Sequence, residues 1–128
     1  VNFAGDGCFR MNMNEIATAS REKLPLIEVI VNNHVLGMVR QWQRIFYGKR
    51  FSQTDIDRGT DMMKLAEAFG IEGVRITKKD EIETGLKKAL DCGRPCLVEC
   101  VIDKDVNVLP MVAPGGDVLD PIMEISLD

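Results

Sequence analysis

Apolar positions recur at helical spacing at Phe9, Met13, Ile16 and Ala17, and Leu24-Pro25 breaks that pattern before an apolar stretch from Leu26 to Val31. The first four residues read as the end of a strand, so the chain opens strand, turn, helix, strand. Asn32-Asn33 closes the second strand, and Leu36 to Phe46 predicts a further helix bearing Trp42. Residues from Tyr47 to Gly59 are polar and mixed, which predicts a loop. Met62, Leu65, Ala66 and Phe69 predict a short amphipathic helix, stopped by Gly70 in the left-handed conformation that glycine tolerates. Val74 to Ile76 predicts the next strand. Thr77 with Asp80 resembles a capping box that opens a helix with Ile82, Leu86, Ala89 and Leu90 facing inward. Gly93 and Pro95 end that helix before a strand from Cys96 to Ile102, and the prolines and glycines after residue 109 predict an irregular tail.

Strands alternating with helices imply right-handed crossovers and a parallel sheet covered on both faces. The expected fold is therefore a three-layer α/β domain, with a mostly parallel sheet, over residues 1–112 and an irregular tail over 113–128. A chain of 128 residues, 45% apolar and 28% charged, is large enough for one such core. Sixteen basic and twenty acidic side chains give a net charge of -4 without long runs of one sign, which argues against a nucleic-acid or membrane-surface partner. No apolar run reaches the roughly 20 residues of a membrane span, and the first residues hold no basic segment leading into an apolar one, so a cytoplasmic protein is expected. Four cysteines, the last three spaced C-x-x-x-C-x-x-x-C, match neither a disulfide framework nor a zinc site and read as reduced structural thiols. The chain opens on Val1 within a strand, from which a missing upstream segment is expected.

Ligands of an open parallel sheet gather beyond the carboxyl ends of its strands, and two loops there have suitable chemistry. Gly5-Asp6-Gly7 sets a carboxylate between two glycines directly ahead of a helix, where backbone amides and the helix N-terminus favour a diphosphate. Asn32-Asn33 offers amide oxygens from the end of the following strand. Magnesium takes about six oxygens, often one or two carboxylates with phosphate and water, and Asp6, Asn33 and a backbone carbonyl supply part of that set. A Gly-Asp-Gly turn by itself is most often an ordinary tight turn.

The pairing of Gly5-Asp6-Gly7 with Asn32-Asn33, across a helix and a strand, resembles the diphosphate motif of thiamine-diphosphate enzymes. That resemblance implies magnesium ligation by Asp6, Asn33 and the backbone oxygen of Val35, with Gly5, Gly7, Cys8 and Met38 at the cofactor and Asn32 a strand-end residue. Leu36 to Gln43, with Phe46-Tyr47 and the later Asn107 to Val112, is similar to the acetohydroxyacid (acetolactate) synthase version of this region. The match runs over essentially the whole chain and corresponds to the C-terminal part of a catalytic subunit several times longer. Two positions depart from the family: Cys8 stands where Ser is common, and Ala113 where Pro is common.

The resemblance implies condensation of pyruvate with pyruvate or 2-ketobutyrate, with loss of CO2, in branched-chain amino-acid biosynthesis. It implies Trp42 and Met38 at the substrate, a homodimer or higher oligomer, a small regulatory subunit, and FAD for the full-length enzyme only. The family's activating glutamate lies in another domain, so neither Glu15 nor Glu22 is given a catalytic role, and these residues alone are expected to be inactive. His34 reads as an exposed or structural loop residue. Alternatives are a non-catalytic cofactor-binding or subunit-packing module, a catabolic acetolactate synthase without flavin, and another thiamine-diphosphate carboligase or decarboxylase.

Overall fold

Four strands, β1 (Asn2–Gly5), β2 (Ile27–Asn32), β3 (Glu72–Ile76) and β4 (Cys96–Val101), pair in parallel in the order β1-β2-β4-β3. The computed structural model describes residues 1–57 and 59–125, so the last three residues of the expected tail lie outside it. Between the strands run α1 (Asp6–Asn12), α2 (Ile16–Arg21), α3 (Gly37–Phe46), α4 (Met62–Ala68) and α5 (Ile82–Asp91). Alternation along the strands sends side chains to two faces. On one face Ile30 and Leu97 pack with Phe9, Ile16, Met62 and Ala66 from α1, α2 and α4. On the other, Ile27, Val29, Val74, Ile76, Cys96 and Val98 pack with Ala89 of α5. The expected three-layer α/β architecture is present.

The strand order explains why helices cover both faces. Passing from β1 to β2, and from β2 past one position to β3, moves across the sheet in one direction; returning from β3 to β4 reverses it. A right-handed crossover must then place α5 opposite the other helices. The cleft at the carboxyl ends of β1, β2 and β4 follows from this arrangement.

Local signals decide most element ends. Asp61 accepts from the Met63 and Lys64 amides at 2.9 and 3.4 Å and caps α4. Gly70 follows that helix with φ +68°, and Gly93 follows α5 with φ +62°. The entry to α5 differs from expectation. Glu81, rather than Asp80, closes the turn, its carboxylate accepting from the Thr77 and Lys78 amides at 2.8 and 3.1 Å. A 3-10 turn over Lys79–Glu81 delays the helix, so Ile82 and Leu90 face solvent while Ala89 is buried. A second 3-10 turn, Met13–Glu15, shifts the phase of the first helical segment, and Ala19 takes the buried place expected for Ala17.

Among the described residues all cysteines are free. Burial pushes the Cys96 thiol up to about 11 and raises that of Cys100, which leaves both as unreactive packing groups against α5.

Candidate functional site

Parallel pairing of β1 with β2 sets Gly5 opposite Val31, so the turns leaving these strands emerge side by side. Between them lies a cavity of about 480 Å³ lined by Gly5, Asp6, Gly7, Cys8, Asn33, Val35 and Met38. These seven residues are the expected cofactor and metal set. Val31, Gln41, Ile102, Val106 and Val108 also line it, and their part was not legible from local sequence.

Asp6 opens α1 and is 1% exposed. Its Oδ2 has no hydrogen-bond partner among the described residues. Burial raises the carboxyl above its ordinary range, against the opposing pull of Arg10, the Asp6 and Gly7 amides and His34. Arg10 is itself tied down, donating to the Ile56 carbonyl. An unsatisfied buried carboxylate oxygen costs on the order of 1–3 kcal/mol or more, which a cation at the cavity wall would offset. No group of three His, Cys, Asp or Glu side chains converges among the described residues. A cation here therefore draws on amide, carbonyl and phosphate oxygens as well, which suits magnesium.

The two glycines do different work. A Cβ at Gly5 meets nothing within 4 Å, whereas one at Gly7 falls 3.0 Å from Leu36 Cδ2 and 3.4 Å from Ile56 Cδ1. Gly5 borders open space that can take a ligand; Gly7 lets α1 pack against Leu36. The exposed Cys8 presents a thiol at the same wall. These features fit a magnesium ion with a diphosphate.

The second turn is held by its own side chains. Asn32 is buried, its Nδ2 donating to Glu99 Oε1 at 2.6 Å and its Oδ1 accepting from the His34 amide at 3.0 Å. His34 has φ +62°, and this bond stabilises a backbone conformation that a non-glycine residue resists. Asn33 Oδ1 accepts from the Val35 amide at 3.2 Å. Val35 is 2% exposed and is fastened to the following loop, with Leu36 donating to Thr54 and Ile56 to His34. The half-exposed His34 lies outside the cavity's lining, its Nδ1 3.8 Å from Asp57 Oδ1.

Gly37 begins α3 against this turn, and a Cβ there would stand 2.6 Å from Asn33 Nδ2. Gly37→Ala is expected to displace Asn33 and weaken magnesium binding about tenfold. Alanine favours helix over glycine by up to about 1 kcal/mol, so stability should hold or rise. Magnesium titration and thermal melts of the same variant separate the two effects.

Met38 is 49% exposed and belongs to two cavities. Beyond it and Val39 lies an apolar hollow of about 510 Å³, also lined by Trp42, Gln43, Tyr47 and Arg50. Trp42 meets Phe46 edge-on at 5.5 Å between ring centroids, which fixes its ring beside the hollow. The far side of α3 is locked to the segment after β4. Gln41 is buried and exchanges two hydrogen bonds with Val108, at 3.0 and 2.7 Å, while Asp105 pairs with Arg40 and Arg44 at 2.7 and 2.5 Å.

Residues 1–100 match the family model described as thiamine pyrophosphate enzyme, C-terminal TPP binding domain. The chain belongs to this family. As a TPP-binding domain it is 42% identical over 126 residues to the acetolactate synthase isozyme 2 large subunit of Escherichia coli, covering 98% of this chain and 23% of the relative. It is 40% identical over 128 residues to a probable acetolactate synthase large subunit of Methanocaldococcus jannaschii, covering 100% and 22%. It is 42% identical over 126 residues to the mitochondrial acetolactate synthase catalytic subunit of Saccharomyces cerevisiae, covering 98% and 18%. The TPP-binding domain thus spans about a fifth of the length of these relatives.

Proposed function

We propose that this chain is the cofactor-anchoring part of an acetolactate synthase catalytic subunit, whose whole enzyme joins two 2-ketoacids with loss of CO2 in branched-chain amino-acid biosynthesis. The observation that carries the reading is the cavity that unites both halves of the diphosphate motif around the buried Oδ2 of Asp6, which has no partner among the described residues. Asp6, the Asn33 side chain and the Val35 carbonyl would hold magnesium. The Gly5 to Cys8 turn would hold the diphosphate, and Met38 would border the cofactor. Thiamine diphosphate supplies the electron sink for decarboxylation and carbon–carbon bond formation, while the chain binds it, orients it and shields it from water. The domain is assigned to residues 1–112, with 113–128 as its tail.

The whole enzyme is further proposed to bind FAD outside this chain, to work as a homodimer or higher oligomer with a small regulatory subunit, and to reside in the cytoplasm. No helix of the described residues is long and apolar enough to cross a membrane.

The apolar hollow beside Trp42 suits the acceptor ketoacid. One extra methylene on an aromatic wall is worth about 1 kcal/mol, close to a fivefold preference. Trp42→Ala should therefore erode the preference for 2-ketobutyrate over pyruvate several-fold. Competition between the two acceptors in the intact enzyme measures this; an unchanged product ratio would return Trp42 to a packing role with Phe46.

A further inference from the structure

The strand β4 is apolar except for Glu99, which is 3% exposed in the interior of the sheet. A buried carboxylate is costly unless its oxygens are served, and both oxygens of Glu99 are. Oε1 accepts from Asn32 Nδ2 at 2.6 Å and Oε2 from Arg75 Nε at 2.6 Å. Register accounts for the row: Glu99 pairs with Arg75 on β3 and with Ile30 on β2, and Asn32 projects from the same face two residues beyond Ile30. Arg75 continues the row to Asp61, the cap of α4, at 2.7 Å.

The row ends at the metal turn. Asn32 cannot rotate without giving up Glu99, and its other atom, Oδ1, holds the His34 amide in the left-handed conformation that follows Asn33. The Asn33 side chain is thereby flanked by a fixed residue on each side. Nothing in the Glu99 environment faces the cavity that binds the cofactor in the proposed function, so the carboxylate acts through Asn32 rather than on a ligand.

We infer that Glu99 is a positioning residue for the proposed magnesium site, holding the Asn32-Asn33-His34 turn, through Asn32 and against Arg75, in the shape that presents Asn33 to the metal. The inference rests on the function proposed above. Glu99→Gln keeps the shape of the side chain but points an amide donor at either Arg75 or Asn32, both of which are donors. Arg75 retains Asp61, so no guanidinium is stranded.

The test is calorimetric binding of thiamine diphosphate to the intact protein across a magnesium series, with steady-state rates and thermal melts alongside. Glu99→Gln should raise half-saturating magnesium about tenfold or more, with kcat at saturating magnesium and cofactor within about twofold of the parent. Arg75→Gln, at a side chain 40% exposed, provides a second variant that can fold if the first does not, and should shift the same constant a few-fold in the same direction. Destabilisation without a shift in the magnesium constant overturns the inference and leaves Glu99 a role in folding alone. Asp6→Asn run in parallel separates the failures. Loss of magnesium dependence there, with unchanged constants in both row variants, overturns the positioning role only, while retained dependence in Asp6→Asn overturns the site and the inference together.

Discussion

Asp6→Asn is expected to abolish magnesium-dependent cofactor binding, with activity of the intact enzyme falling by about three orders of magnitude, while the metal-free protein becomes more stable. Asparagine offers magnesium one neutral oxygen in place of an anionic carboxylate, and hard divalent cations depend on that charge. Stability should move the other way because the charge is costly in the metal-free state. Asp6 is 1% exposed, its Oδ2 lacks a partner among the described residues, and burial raises its carboxyl in the folded protein. A carboxyl raised on folding binds its proton more tightly in the native state, so its contribution is most favourable in acid and declines as pH climbs through the raised value. At neutral pH the variant should therefore be the more stable of the two, and the gap should close toward acid pH. Denaturant melts at two pH values, with and without magnesium, check both signs. A variant that is less stable at neutral pH and still binds the cofactor with magnesium would show that Asp6 serves the fold.

A polypeptide of these 128 residues is expected to produce no acetolactate under conditions where the intact enzyme turns over. Among the residues lining the cofactor cavity, Asp6 is the one carboxylate, and the proposed metal already employs it. A group that moves protons on the cofactor must stand within about 3 Å of the atom it serves. Glu15 borders a different hollow, beside Asn12 and Glu28, and Glu22 is an exposed residue paired with Arg21 at 2.8 Å. Neither is placed to serve the cavity between Asp6 and Asn33. The comparison relatives are about five times longer, and the resemblance puts the activating glutamate in another of their domains. Pyruvate consumption with thiamine diphosphate and magnesium measures the expectation. Robust turnover by these residues alone would place a catalytic carboxylate within them and overturn it.

Element boundaries were legible where one or two neighbouring residues decide them. Gly70 and Gly93 end helices because a left-handed residue is needed there. They failed where geometry accumulates along a segment. The 3-10 turns at Met13–Glu15 and Lys79–Glu81 change the rotation per residue, so uninterrupted helical spacing assigned Ala17, Ile82 and Leu90 to the interior.

By itself the sequence determined the alternation of strands and helices, the Gly5-Asp6-Gly7 and Asn32-Asn33 turns with their ligand chemistry, and the resemblance those motifs carry, because each depends on residues close together in the chain. The tertiary structure alone decided that β4 inserts between β2 and β3, since strand order depends on which distant segments pair and no local spacing records it. From that insertion come the features the spacing did not show. Glu99 reaches Asn32 across 67 positions of sequence, and Gln41 reaches Val108 across another 67. Asp6 is buried with no partner for Oδ2 among the described residues. Burial and non-local hydrogen bonding are properties of the packed sheet, and they turn a common tripeptide into a candidate metal site.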